Sequence, residues 1–421
     1  MKTLVVDKSK FSCVLFLLFT LIFPLFDSSL YFGFLLIISI IWVSLFFSSK
    51  DSLHITIGKE FRIFILLLFI FWFISLLFYS IFIGIYNLKS SLNDIFEFIK
   101  FPYYVTLSFF FYHIFSNRPD LIKFTFISFF YIIFVTGFLS YFFDPIALLY
   151  TSSKMVYVGR LSAPFVNPYT YAFCITFFVY LFFLDMLMGR NSFYQKLFSF
   201  ALFVISLTLL FLTQSRSILF GAVLVLTFSP AFFVLTLSKK HRKALRLNVS
   251  VVTIFGVATL FGFYFGVYFL DLRYTIDLLE QAIGQRAYTS DSVGVRVEQI
   301  VKVFNYFYEF PLSIFGGFGP AKTEFRLLES GYAYVLFRHG LIGFIFYLVM
   351  FISIFVFAIK RAVQIKSSLH LAIALYVFSF PLLLSSSMHI EHPKASFFFI
   401  IIFSTMLAEI RSSSREKVTY S

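Results

Sequence analysis

Residues 271–343, DLRYTIDLLEQAIGQRAYTSDSVGVRVEQIVKVFNYFYEFPLSIFGGFGPAKTEFRLLESGYAYVLFRHGLIG, decide how the chain is read. Strongly apolar sequence lies on both sides, and this is the only long segment without a bilayer-spanning run. It holds an amphipathic region (Arg296 to Glu309), a glycine-rich turn (Pro311 to Pro320), and a return into apolar sequence from Glu329 to Gly340. We read it as an extracytoplasmic working part, with the rest of the chain as the scaffold that holds it at a membrane surface.

Working outward, composition sets the class. The chain has 421 residues, 60% hydrophobic and 13% charged. A soluble domain of this size needs far more polar surface. The apolar residues come in runs of about 20, the length that crosses a bilayer as a helix. A β-barrel would show short alternating segments instead. The expected fold is an all-α polytopic membrane protein, one integral domain over residues 1–421. About twelve spans are expected: Phe11–Phe26, Leu30–Phe47, Ile63–Tyr86, Phe98–Phe115, Leu121–Phe143, Tyr169–Met188, Leu197–Leu212, Ile218–Leu237, Leu247–Leu270, Tyr332–Ile359, Leu369–Met388 and Ala395–Ile410. The first follows three lysines and lacks a small-residue cleavage site, so it reads as a retained helix. The 69 phenylalanines read as filler for lipid-facing positions. Cys13 and Cys174 sit in apolar runs and suggest neither a disulfide nor a metal site.

Charge sets the orientation. Alternate connections carry Lys50, Lys59 and Arg62, then Arg118 and Lys123, Arg190 and Lys196, Lys239–Lys243, Lys360 and Arg361, and finally Arg411, Arg415 and Lys417. Basic loops stay cytoplasmic, so both termini are expected inside. The net charge of +14 is thus a topology signal, and no nucleic-acid partner is expected. Two connections on the other side are long, 144–168 and 271–331.

Three arginines fall on that outer side: Arg160 in VGRLSAPFVNPYTYA, Arg216 in FLTQSRSILFG, and Arg296 in SVGVRVEQIVKVF. Each alone could snorkel to headgroups. Together, in polar turn-rich motifs, they read as an anion site, because the guanidinium stays charged and donates two parallel hydrogen bonds to phosphate. Val297, Ile300, Val301, Phe304 and Phe307 recur at helical spacing, which predicts a helix resting on the bundle with Arg296, Gln299 and Lys302 off that stripe. Gly316-Gly-Phe-Gly319 could offer N–H groups to an anion. No nucleotide-binding motif is present, which argues against an ATP-driven pump. Glu329, where the chain re-enters the membrane, is the candidate base, and His339 a second candidate. His389-Ile-Glu391-His392 reads as a short polar turn between spans, and no metal site is expected.

These motifs resemble the O-antigen polymerase/ligase superfamily of bacterial inner membranes. GRLSAPFVNPYTYA is similar to the family's R-x-x-G/A-x-F-x-N-P-N segment, with Tyr169 where Asn is usual. LTQSRSILFG is similar to its S-R-G/S segment at the start of a span. Arg296 with Pro311-Leu312 and Gly316-Gly-Phe-Gly319 is similar to its R…P-L-x-G-x-G pattern. Ligases of the superfamily carry a His-Asn-x-Tyr-Leu segment. Here Glu329-Ser-Gly-Tyr332 aligns with it, so Glu329 stands where the ligase has histidine, which favours a polymerase. Arg273 and Gly284 show an R-x10-G spacing noted in some polymerases.

The resemblance implies a fold like that of the integral-membrane lipid-dependent (GT-C-like) glycosyltransferases. It implies a donor glycan on undecaprenyl diphosphate and an acceptor that is the next lipid-linked repeat unit. No cofactor, nucleotide sugar or obligatory metal is implied. It places the site on the periplasmic face of the inner membrane, with membrane lipids and a separate chain-length regulator as partners. Glu329, Arg296 and Arg216 are expected to be catalytic. Arg160, Asn167, Arg273, Tyr332 and His339 are expected to bind substrate. The alternatives are a ligase that moves finished glycan to lipid A-core, and a flippase for the lipid-linked unit.

Overall fold

The computed structural model describes residues 8–23, 30–48, 58–86, 94, 98–150, 160–165, 167–188, 192–236, 291–320, 330–385 and 387–419. Among these residues there is helix and no strand. Six helices are long and apolar enough to cross a membrane: Lys59–Ile85, Asp120–Phe142, Pro168–Met188, Phe193–Leu212, Gly331–Ile365 and Lys394–Ser412. Shorter apolar helices occur at Lys10–Ile22, Gly33–Ser44, Ser217–Thr227 and Ser368–Phe378. The chain is therefore a helical membrane protein. The expected span Leu247–Leu270 lies outside the described residues.

In chain order the helices are α1 (Lys8–Ile22), α2 (Leu30–Ser48), α3 (Lys59–Tyr86), α4 (Lys100–Asn117), α5 (Asp120–Phe142), α6 (Asp144–Leu148), α7 (Pro168–Met188), α8 (Phe193–Leu212), α9 (Arg216–Thr236), α10 (Asp291–Glu309), α11 (Ser313–Gly316), α12 (Gly331–Ile365), α13 (Ser368–Phe378), α14 (Phe380–Leu383) and α15 (Pro393–Thr419), with a 3-10 turn at His389–Glu391 before the last.

Side-chain bonds between helices show how the ends line up. Lys100 at the start of α4 and Tyr334 near the start of α12 both reach Glu391, just before α15. Thr170 at the start of α7 meets His389. At the other ends, Lys123 of α5 pairs with Asp185 of α7 at 2.9 Å, Ser368 of α13 also bonds Asp185, and Arg361 of α12 pairs with Glu409 of α15 at 2.8 Å. The bundle thus has two poles: one gathers the starts of α4, α7, α12 and α15, the other their far ends.

The core lies around α7 and α15, whose apolar windows are 83% and 78% buried. Lipid tails are as apolar as leucine, so packing rather than water exclusion selects these contacts. Phenylalanine supplies much of it. Phe129 meets Phe398 at 4.7 Å, Phe126 meets Phe177 at 5.0 Å, and Phe130 sits edge-on to Phe182 at 4.8 Å. Such pairs contribute about 0.5–1.5 kcal/mol each beyond area burial. The phenylalanines are core residues as well as lipid-facing filler, which corrects the reading from composition.

Two further readings change. Leu369–Met388, expected as one span, is broken: α13 stops at Phe378, α14 is one turn, and the 3-10 turn follows. Pro381 explains the break, since it lacks an N–H and clashes with the preceding turn. Second, α12 is interrupted at Gly340, whose φ of 58° and ψ of −160° leave the helix. The carbonyls of Phe337 and Arg338 instead accept the N–H groups of Phe318 (2.7 Å) and Gly319 (2.9 Å). Gly317 N–H donates to Ser313 O at 2.8 Å. The glycine-rich turn therefore spends the Phe318 and Gly319 N–H groups on repairing α12 and that of Gly317 on capping α11, and they are not offered to an anion as its composition suggested. Only glycine fits the crossing, because a Cβ on Gly340 would lie 2.5 Å from Phe315 O and 2.6 Å from Gly317 N.

Gly340→Ala is expected to cost at least about 2 kcal/mol, from a backbone region essentially reserved for glycine plus the overlap. Gly84→Ala, which meets nothing within 4 Å in α3, is the control. Thermal unfolding in detergent checks this: equal midpoints for the two variants would contradict it.

Candidate functional site

The break at Gly340 turns Arg338 and His339 into the bundle at the pole where α4, α7, α12 and α15 begin. There the carboxylate of Glu391 collects groups from two helices, α4 and α12. Tyr334 Oη donates to Oε2 at 2.6 Å and Tyr347 Oη to Oε1 at 3.0 Å. His339 Nε2 is 3.1 Å from Oε1, Lys100 Nζ 3.4 Å from Oε2, and Arg338 Nη1 3.9 Å from Oε2. Ser75 Oγ of α3 lies 3.1 Å from His339 Nδ1. That pairing fits the tautomer with its proton on Nε2, donated to the carboxylate. The Arg338 guanidinium also stacks over the Tyr334 ring at 4.3 Å.

Burial pushes the Glu391 carboxyl up, but Lys100, His339 and Arg338 outweigh it and hold it well below the usual carboxylate range. Glu391 is an ionised group with a side-chain exposure of 9%, tolerable only because it is paired and fully hydrogen-bonded. Under this cluster lies a cavity of about 140 Å³ with Lys100, Arg338, His339 and Glu391 at its polar end and Trp72, Phe101 and Phe403 among its apolar walls.

A second group stands beside it. His389 is buried, with Nδ1 3.4 Å from Thr170 Oγ1 and its ring against Phe173. Burial, with His392 and Arg296 nearby, lowers its pKa to about 3, so it is neutral at physiological pH. Arg296 thus lies within electrostatic reach of this turn. Its Nε is buried and has no hydrogen-bond partner among the described residues. Gln299, one turn on, ties α10 to α12 by accepting the Ser330 N–H at 3.2 Å.

The other expected site residues fall as follows. Arg160 is a clamp: Nε donates to Thr213 O at 3.0 Å, Nη2 to Gln214 O at 3.3 Å, and the guanidinium stacks on Tyr169 at 4.9 Å. It holds the turn that precedes Arg216, and Arg216 itself opens α9. Asn167 caps α7, its Oδ1 accepting the Tyr169 N–H at 2.8 Å. Tyr332 donates to Pro381 O and lines a separate apolar cavity of about 240 Å³. His339 joins the Glu391 cluster. Arg273 and Glu329 lie outside the described residues.

Sequence reading missed Glu391, Lys100, Arg338 and Tyr347. The signal was present in two places: a carboxylate flanked by histidines, and two ionisable residues, Arg338 and His339, inside an apolar run, where such groups mark function by default.

Fold and site together define a polytopic helical membrane protein with an ionised cluster at one pole. The chain matches no known family model and no curated protein.

Proposed function

We propose that the protein is a polymerase resembling the O-antigen polymerases, a GT-C-like enzyme of about twelve spans whose charged pole faces the periplasm. It transfers glycan from undecaprenyl diphosphate to a hydroxyl of the next lipid-linked unit. The bond between the anomeric carbon and the diphosphate oxygen breaks, a glycosidic bond to the acceptor oxygen forms, the acceptor proton passes to a base, and undecaprenyl diphosphate leaves.

The observation that carries this reading is Arg296, a half-buried side chain whose buried Nε has no hydrogen-bond partner among the described residues, at the pole where α9 opens on Arg216. Guanidinium groups suit a diphosphate and the charge that grows on it as it leaves, and Arg216 is the second arginine that the sequence motifs nominate. Arg160 supports Arg216 indirectly, through the turn it clamps. Glu329 remains the base that the family pattern nominates.

The test is the surface-glycan ladder of a deletion strain. Wild-type protein should restore long chains, while Arg296→Ala and Arg216→Ala, at normal protein levels, should stop at a single repeat. A clamp contributes to folding, so Arg160→Ala should lower the amount of folded protein as well. Full-length polymer from both alanine variants would sink the assignment. A deletion strain with no repeat at all would point to the ligase or the flippase.

A further inference from the structure

Helix α10 has three faces rather than two. One is packed on the bundle: Val303 is fully buried and Phe307 5% exposed, against Tyr79, Phe82, Ala333 and Phe337. A second carries the ion pair of Glu298 and Lys302 at 2.7 Å, both side chains more than half exposed. The third is apolar and uncovered: Val297, Val301, Phe304 and Tyr308 are 49%, 51%, 56% and 91% exposed. Their spacing of four, three and four residues makes one continuous ridge, and the three faces lie roughly 120° apart at 3.6 residues per turn.

The neighbours of α10 say what covers that ridge. It packs across the ends of α3 and α12, whose apolar windows are the least buried of the six spans, at 11% and 17%. Those two helices present apolar side chains outward along their length, including Ile345 and Val349 on α12. Just after α10, Leu312 and Phe315 are exposed as well. A helix seated there, with one polar face, meets the edge of the lipid-facing belt. Its terminal Tyr308 is the residue type that settles at headgroup level.

We propose that α10 is an interfacial helix whose Val297–Val301–Phe304 ridge is immersed in the lipid surface while the Glu298–Lys302 pair stays in water. The bilayer then sets the height and roll of the helix, and so the position from which Arg296 reaches the pole. The lipid seat stands on geometry alone; only its consequence for Arg296 rests on the function proposed above.

The experiment places single spin labels at positions 297, 298, 301, 302, 303 and 304 of full-length protein with Cys13 and Cys174 replaced by alanine. The protein is reconstituted in phosphatidylethanolamine–phosphatidylglycerol nanodiscs. Collision with oxygen, which concentrates in lipid, is compared with collision with a water-soluble nickel chelate. Labels at 297, 301 and 304 should favour oxygen, those at 298 and 302 the chelate, and 303 neither. Chelate access along the ridge overturns the proposal. So does shielding from both probes, which would mean that a second copy or another part of the chain covers it. Phe304→Lys should then shorten the glycan ladder. If the labels report lipid while both Phe304→Lys and Arg296→Ala still give full-length polymer, the seat stands and the polymerase reading falls.

Discussion

Glu391→Gln should be among the most damaging single substitutions in the protein, lowering its stability by about 3–5 kcal/mol. Glutamine matches glutamate in shape, so the cost is electrostatic. Replacing one carboxylate oxygen by an amide turns an acceptor into a donor, yet every group at that position is itself a donor: two tyrosine hydroxyls, His339 Nε2, Lys100 Nζ and Arg338 Nη1. At the same time two cationic side chains lose the carboxylate they share in a desolvated site. A buried charge stripped of its partner costs far more than the intact pair ever contributed. The sign can be tested directly with a second substitution. Lys100→Met removes one of the stranded cations, so the double variant should be more stable than Glu391→Gln alone. Thermal unfolding of the purified protein in detergent reads this cycle. A double variant that is simply worse by the sum of the two singles would mean that the carboxylate does not act as their counter-charge.

The same cluster shows what the sequence can and cannot reveal. Apolar runs exposed the helices, because length and hydropathy are local properties. The helix around Arg296 was legible for the same reason, and it is found at Asp291–Glu309. Its orientation was not. Val297, Val301 and Phe304 were grouped with Ile300 and Phe307 as the bundle-facing stripe, but the structure leaves them outside. A lipid-facing valine and a core valine look alike in sequence, so periodicity merges two apolar faces into one. Arg296 and Gln299 lie toward the bundle, and Lys302 beside Glu298. Glu391 was hidden differently. Its partner Lys100 is 291 positions away and its partner Tyr334 is 57 away, and no local pattern encodes such distances. The bonds from Arg160 to the carbonyls of Thr213 and Gln214 were equally invisible, because backbone acceptors are groups that any sequence supplies.

Lys394→Met should loosen the opposite side of the same pole, with a cost of at least about 3 kcal/mol. Lys394 is fully buried, and its Nζ donates to three carbonyls: Leu21 O at 2.6 Å, Pro164 O at 2.7 Å and Phe23 O at 2.8 Å. Three acceptors at these distances use all three N–H groups of an ammonium. Two of them belong to the end of α1, where the last carbonyls have no helical donor and the helix dipole is negative, so a cation is favoured there. The third lies in the segment that leads into α7. Tyr150 completes the site, its ring 5.0 Å from Nζ and its hydroxyl on Ile22 O. Lysine thus staples α1 and the approach to α7 onto the start of α15, and methionine would fill the space while leaving three buried carbonyls without donors. Arginine should fail to rescue, because its flat fork cannot reproduce three converging bonds and its bulk overfills the site. The effect should begin locally. Cys13 on α1 and Cys174 on α7 are both buried thiols outside any disulfide. In Lys394→Met a maleimide should label Cys13 under conditions where Cys174 stays protected, because α1 has lost its anchor while the centre of the bundle holds. If both cysteines stay as protected as in the wild type and the unfolding midpoint does not move, then the staple contributes nothing and α1 is held by its apolar packing alone.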